Sequence, residues 1–107
     1  MKILPLTGEA AFRNHRRSAR RSETSHFTAF VLASVDDEWR FSVVASKARI
    51  GGAVERNRAK RRLRAAFATV AAELKAAQVV VLYAKKSVLT ADFAEIVRDL
   101  KESLERN

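Results

Sequence analysis

Twelve residues in mid-chain, Ala53 to Arg64 (Ala-Val-Glu-Arg-Asn-Arg-Ala-Lys-Arg-Arg-Leu-Arg), set the terms for the rest. They hold six Lys and Arg against one acid, Glu55. In a tail, such a run would read as disordered. Here it passes directly into Ala65-Ala66-Phe67-Ala68-Thr69-Val70-Ala71-Ala72-Glu73-Leu74, a stretch rich in strong helix formers. One helix is therefore expected from about Ala53 to Lys75. At about 100° per residue, Ala59, Leu63, Phe67, Val70 and Leu74 share one side, the stripe that packs on a core. Asn57, Arg58, Arg61 and Arg64 fall opposite, with Lys60 and Arg62 on the flanks. Arg56 projects toward the apolar side but sits in the first turn. Like charges at i, i+3 and i+4 repel by a few tenths of a kcal/mol per pair. A solvated basic face is the simpler reading, yet this crowding on a packed helix points to a polyanionic partner.

The remaining charge sharpens that reading. The chain of 107 residues has 21 Lys and Arg against 12 Asp and Glu, a formal net charge of +9. Arg40 to Arg64 carries nine basic residues and one acidic, a net +8. Arg13 to Arg21 carries five Arg and no acid, while Ser87 to Asn107 has three basic and five acidic residues, a net −2. A field directed from one part of the molecule suits nucleic acid or an anionic membrane. The membrane is set aside as a partner, because a core claims Leu63, Phe67 and Val70 and the helix lacks aromatic interface anchors. No cysteine is present, which removes disulfides and thiolate metal sites. No run of about 20 apolar residues occurs. Met1 to Leu6 is cut short by Pro5 and Gly8-Glu9 and is not read as a signal peptide. The expectation is a cytoplasmic protein.

In chain order, Thr7 to Arg13 reads as a short helix opened by Thr7. Ser18 to Ser25 reads as a polar, basic loop. Phe27 to Val35 and Trp39 to Ser46 read as strands around the Asp36-Asp37-Glu38 turn, and so as an antiparallel hairpin. Ser46 to Gly52 is a basic turn into the central helix. Gln78 to Ala84 suits a strand buried on both faces. Thr90 is expected to cap a last helix, with Phe93, Ile96, Val97, Leu100 and Leu104 as its buried stripe. The length suits one domain, 1–107. The order is α-β-β-(β)-α-β-α, with an additional short strand near Glu23 to Phe27. The fold class is a small α+β sandwich, a mixed sheet of about four strands with helices packed on it. Strand-helix-strand from Phe41 to Ala84 implies a parallel pair.

Catalytic chemistry is sparse. His15 and His26 lie in or beside the basic N-terminal region without a Ser/Asp partner at recognisable spacing, and read as exposed loop histidines. Asp36-Asp37-Glu38 could hold a hard cation but is explained as a turn. Gly51-Gly52 alone is no phosphate cradle. What remains is polyanion binding through Arg, whose planar fork bonds phosphates and stacks on bases. Asn57 between two arginines suggests a shaped contact. RNA is favoured over duplex DNA, since one basic helix in a small α+β domain fits no dimeric major-groove module.

Arg56-Asn57-Arg58-Ala59-Lys60-Arg61-Arg62-Leu63-Arg64, with Ala53 upstream, resembles the signature helix of the protein subunit of bacterial ribonuclease P. Ser46-Lys47 after a strand, the Val79 to Lys86 strand and the final helix match as well, so the resemblance covers about Arg40 to Leu104. It implies a protein that pairs with a large catalytic RNA to remove the 5′ leader of precursor tRNA. The RNA carries the chemistry with Mg²⁺, held mainly by that RNA, and the protein alone does not cleave. The implied partners are the catalytic RNA and precursor tRNA, with no protein partner required. By position, Lys47, Arg56, Asn57, Arg58, Lys60, Arg61 and Arg64 would meet the RNA subunit, and Phe12 and Phe30 would line a leader cleft between sheet and first helix. The resemblance also implies a left-handed βαβ crossover, against the right-handed rule. Three departures stand out. Ala59 replaces a larger aliphatic, Ala48 replaces a second Lys, and Arg16 stands where the first helix often carries another aromatic. The last makes the expected cleft more electrostatic and less dependent on stacking. A structural RNA-binding protein and a metal nuclease using Asp36, Asp37 and Glu38 are the competing readings.

Overall fold

The computed structural model describes residues 2–106; Met1 and Asn107 lie outside the described residues. Five stretches pair into one mixed sheet: β1 (Ile3–Pro5), β2 (Arg20–Glu23), β3 (Phe27–Ala33), β4 (Trp39–Val44) and β5 (Gln78–Ala84). Their order across the sheet is β1-β4-β5-β3-β2. β4 runs parallel to both β1 and β5, whereas β3 runs antiparallel to β5 and β2. The helices are α1 (Glu9–Ser18), α2 (Lys47–Ile50), α3 (Ala53–Ala71) and α4 (Phe93–Glu105), with a 3₁₀ turn at Lys86–Leu89.

The parallel β4–β5 pair joined through α3 follows the expectation, but the β3–β4 hairpin does not form. β5 inserts between the two, pairing Val80 with both Phe41 and Val31. Asp37 occupies left-handed backbone, φ 62°, in the turn that carries the chain past the place taken by β5. β5 is the most apolar strand, so placing it centrally buries it on both faces. Val80 and Leu82 are sealed on one face and Val81 on the other.

Alternation assigns the faces. Phe27, Ala29, Val31, Phe41, Val80 and Leu82 join α3 and α4 in the main core. Phe67 of α3 stacks on Phe41 at 3.9 Å between ring centroids and meets Trp39 edge-on at 5.5 Å. The apolar stripe of α3 is as read from its period: Ala59, Leu63, Phe67 and Val70 are buried, along with Ala66 and Ala71. The helix ends at Ala71, and Leu74 packs on the core from the turn beyond it. Thr28, Phe30, Val81, Tyr83, Ser42 and Val44 point to the other face, over which α1 lies.

Several local expectations shift. α1 starts at Glu9 behind Gly8 and runs to Ser18, without a side-chain cap from Thr7. The loop expected over Ser18 to Ser25 contains edge strand β2, just upstream of the additional strand expected near Glu23. β1 is a fifth strand, its Pro5 tolerated at the sheet edge. Thr90 does not cap α4; the N-cap position is Asp92, because the 3₁₀ turn takes up the chain before it. Ser46, by contrast, caps α2 by accepting from the Arg49 N–H at 3.2 Å. Gly51, at φ 121°, then makes the break between α2 and α3 in a conformation that a Cβ disfavours.

Candidate nucleic-acid interface

α3 is held by its buried stripe, so its opposite side must face outward. Asn57, Arg58, Arg61 and Arg64 are exposed, and Lys60 and Arg56 are partly covered. Lys47 is exposed on α2, one short turn before α3. Among the described residues, none of Lys47, Arg56, Arg58, Lys60, Arg61 and Arg64 is ion-paired. Arg56 keeps a buried Nε with no hydrogen-bond partner. Arg62 differs although it sits in the same run. Its guanidinium donates to the carbonyls of Leu89, at 3.4 Å, and Ala91, tying α3 to the chain before α4.

On the α1 side of the sheet, a cavity of about 380 Å³ opens between Arg16, Arg21, Phe30, Tyr83, Ser46 and Arg49. That size lies within the range of ligand pockets. Phe30 and Tyr83 meet edge-to-face at 5.5 Å. The Arg16 guanidinium lies 5.9 Å from the Tyr83 ring centre and donates to its hydroxyl at 3.3 Å. The departure at Arg16 thus has a structural counterpart: cation and ring share the site where two rings were the alternative. Phe12 does not line this cavity. It lines a second hollow, about 620 Å³, with Leu6, Gly8, Phe41, Arg64 and Phe67. Phe12 and Arg16 lie one turn apart on α1, so the two hollows are successive stations along that helix. Arg64 connects the second to the basic side of α3.

The histidines are buried, contrary to the loop reading. His15 is 6% exposed and its Nε2 bonds the Phe30 carbonyl at 2.9 Å. That bond fixes α1 over β3 and so shapes the cavity. His26 is 7% exposed and reaches Ser87. Asp36, the centre of the nuclease alternative, is committed elsewhere. Both of its oxygens accept from Arg40 at 2.8 Å, and Oδ1 also accepts from Ser34. The Arg40 hydrogen bonds hold its carboxyl well below the usual range.

The profile of the family described as Ribonuclease P matches residues 2–107. The chain belongs to the ribonuclease P protein family. It is 34% identical over 106 residues to the ribonuclease P protein component of Syntrophus aciditrophicus, covering 94% of this chain and 88% of that protein. The protein component of Nitratiruptor sp. is 40% identical over 88 residues, covering 81% and 79%. Among solved structures, the Staphylococcus aureus RNase P protein superposes with a TM-score of 0.77 at 22% identity, covering 94% and 92% of the two chains. The Thermotoga maritima RNase P protein gives 0.77 at 20%, covering 90% of each. The α+β fold of this family is therefore shared.

Tyr83, Arg21 and Arg49 line the cavity beside α1 without a clear mark in the sequence. Tyr83 ends a continuous apolar run and reads with the buried strand. Its polar tip at the exit of that strand was the one available signal. Arg21 lies in an edge strand that reads as loop, and Arg49 in a four-residue helix too short for periodicity.

Proposed function

We propose that this chain is the protein subunit of a ribonuclease P ribonucleoprotein, acting in tRNA 5′ maturation in the cytoplasm. It binds the catalytic RNA through Lys47, Arg56, Asn57, Arg58, Lys60, Arg61 and Arg64. It receives the 5′ leader of precursor tRNA along α1, with Phe30 and Tyr83 as one station and Phe12 as the next. The observation that carries the reading is the unpaired cationic side of α3, on a helix whose other side is locked in the core. Arginine forks there can engage phosphates bidentately. The first turn of α3 adds free backbone N–H groups, since Gly52 supplies no side-chain cap.

The proposal assigns hydrolysis to the RNA. The groups on this surface are cations with Glu55 as the lone carboxylate, a donor set unsuited to Mg²⁺, which takes oxygen ligands. Mg²⁺ is therefore placed mainly on the RNA subunit. The protein positions the leader and offsets phosphate repulsion; no protein partner is required for that role.

The test is cleavage of precursor tRNA by the cognate catalytic RNA at low Mg²⁺, with and without the protein. Rescue by the protein, with no cleavage by the protein alone, is expected. Tight RNA binding without rescue would favour a structural RNA-binding protein.

A further inference from the structure

We propose that His26, Glu95 and Asp99 form a binding site for one divalent transition-metal ion of the Zn²⁺ or Mn²⁺ kind. The three side chains offer ligand atoms that all lie within 4.8 Å of one another. Glu95 and Asp99 are one turn apart on α4, which puts both carboxylates on one side of the helix. His26 reaches them from the start of β3.

The second observation is the hydrogen bonding of the imidazole. His26 Nδ1 lies 2.8 Å from Ser87 Oγ, and that hydroxyl directs its single proton to the Ser25 carbonyl at 2.8 Å. Ser87 therefore accepts from Nδ1, which leaves Nε2 turned toward the carboxylates. Nε2 is buried and makes no hydrogen bond. It stands 3.4 Å from Glu95 Oε1, within ion-pair range but outside hydrogen-bond geometry. A buried ring nitrogen facing two anionic oxygens suits a cation between them. Two ligands about 2.1 Å from one ion at the tetrahedral angle are about 3.4 Å apart. The Ser87 hydroxyl is then the outer partner that orients a ligating histidine.

Charge and access agree. The two carboxylates bring a local charge of −2, within a stretch, Ser87 to Asn107, that is itself net negative. The Glu95 side chain is 43% exposed and free to adjust toward an ion. Asp99 lines a polar hollow of about 220 Å³ that gives solvent a way in and a place for a water ligand. The mixed nitrogen and oxygen set favours a first-row transition metal over Mg²⁺. Such an ion joins β3, the 3₁₀ turn and α4 at one point.

The experiment uses the full, tag-free chain stripped with EDTA. Co²⁺ is titrated and followed by its visible absorption, then displaced with Zn²⁺, and Tm is measured with and without Zn²⁺. One ion per chain is expected, with Tm raised by about 10 °C when Zn²⁺ stands 100-fold above its Kd. Glu95→Gln and Asp99→Asn, both at accessible positions, should each weaken binding by about tenfold or more. His26→Gln should abolish the cobalt spectrum; if it does not fold, the two carboxylate variants decide. No binding by the stripped wild-type chain overturns the proposal and leaves a proton as the occupant. Binding unchanged in the Glu95→Gln/Asp99→Asn double variant overturns it equally.

Discussion

The N-terminal half of α3 and the frame around α4 are both rich in charge, and they use it in opposite ways. Around α4, outside the His26–Glu95–Asp99 cluster, many of the polar groups are committed inside the molecule. Arg20 reaches from β2 to the carbonyls of Ser103 and Arg106, closing the C-terminal end of the helix. Gln78 donates to the Leu104 carbonyl, Ser22 and Ser103 bond each other in a buried contact, and Lys85 bridges Glu23 and the Thr24 carbonyl. Along α3, Arg58, Arg61 and Arg64 have no such partner among the described residues. Charge density alone does not separate the two regions; uncommitted charge on a fixed scaffold does. Arg61 and Arg62 show how fine the distinction is. They are neighbours in sequence, about 100° apart around the helix, and one faces solvent while the other joins the Leu89 and Ala91 carbonyls.

The largest effect expected from breaking this comparison is at Arg62. Arg62→Ala leaves two carbonyls without their charged donor and should lower stability by about 3 kcal/mol, read by urea denaturation. RNA affinity per folded molecule should change little. A variant of normal stability but weak RNA binding would move Arg62 to the other group and blur the contrast.

Next come Arg58→Ala and Arg61→Ala. Each should weaken binding to the RNA subunit by about 1–3 kcal/mol and reduce the salt slope by about 1, with stability within about 0.5 kcal/mol of wild type. Filter binding at several salt concentrations measures both. Unchanged affinity in both variants would remove α3 from the interface.

A smaller, more selective loss is expected in the cavity beside α1. Tyr83→Leu keeps the apolar bulk of β5 but removes the ring that Arg16 and Phe30 contact. Stacking of a base on an aromatic ring contributes about 1–3 kcal/mol, so precursor tRNA should lose about 1 kcal/mol while mature tRNA is unaffected. Phe12→Ala should act in the same sense at its own hollow. Equal losses for both RNAs would argue against a leader path here.

Much of this organisation was legible in the sequence because it is local. The two sides of α3, the central strand β5 and most of the apolar stripe of α4 follow from period and composition alone, but Phe93, expected in that stripe, is exposed at the helix's first turn. What escaped was set by distant partners. The turn after β3 looks like a hairpin turn, and nothing within Phe27 to Val44 announces that β5 will enter between its arms. β2 reads as loop because an edge strand can carry Arg20, Arg21 and Glu23, and its one inward residue, Ser22, is polar. His15 and His26 look exposed until Phe30 and Ser87 supply their hydrogen bonds. Arg62 cannot be told from Arg61 without the carbonyls it meets near residue 90. The exposed basic side of α3 was thus readable, whereas the cavity, assembled from α1, β3, β5 and α2, was not.

The smallest expected effect separates an internal charge pair from a catalytic one. Asp36 is bonded to Arg40 and Ser34, and chiefly the Arg40 hydrogen bonds depress its folded-state pKa from the ordinary 3.8. A depressed carboxyl stabilises the fold above its unfolded pKa and loses that contribution as pH falls toward the folded value. Asp36→Asn should therefore lower Tm slightly at neutral pH, and the gap to wild type should narrow as pH is taken from about 4 toward 2. The pair is solvent-exposed, so the gap itself is small. Rescue of precursor-tRNA cleavage at low Mg²⁺ should be undiminished in the Asp36→Asn/Asp37→Asn/Glu38→Gln variant. Loss of cleavage with Tm intact would place reacting groups in this turn and restore the nuclease reading. Cleavage intact with the predicted narrowing would put Asp36 with the α4 frame, among charges whose partners are inside the molecule.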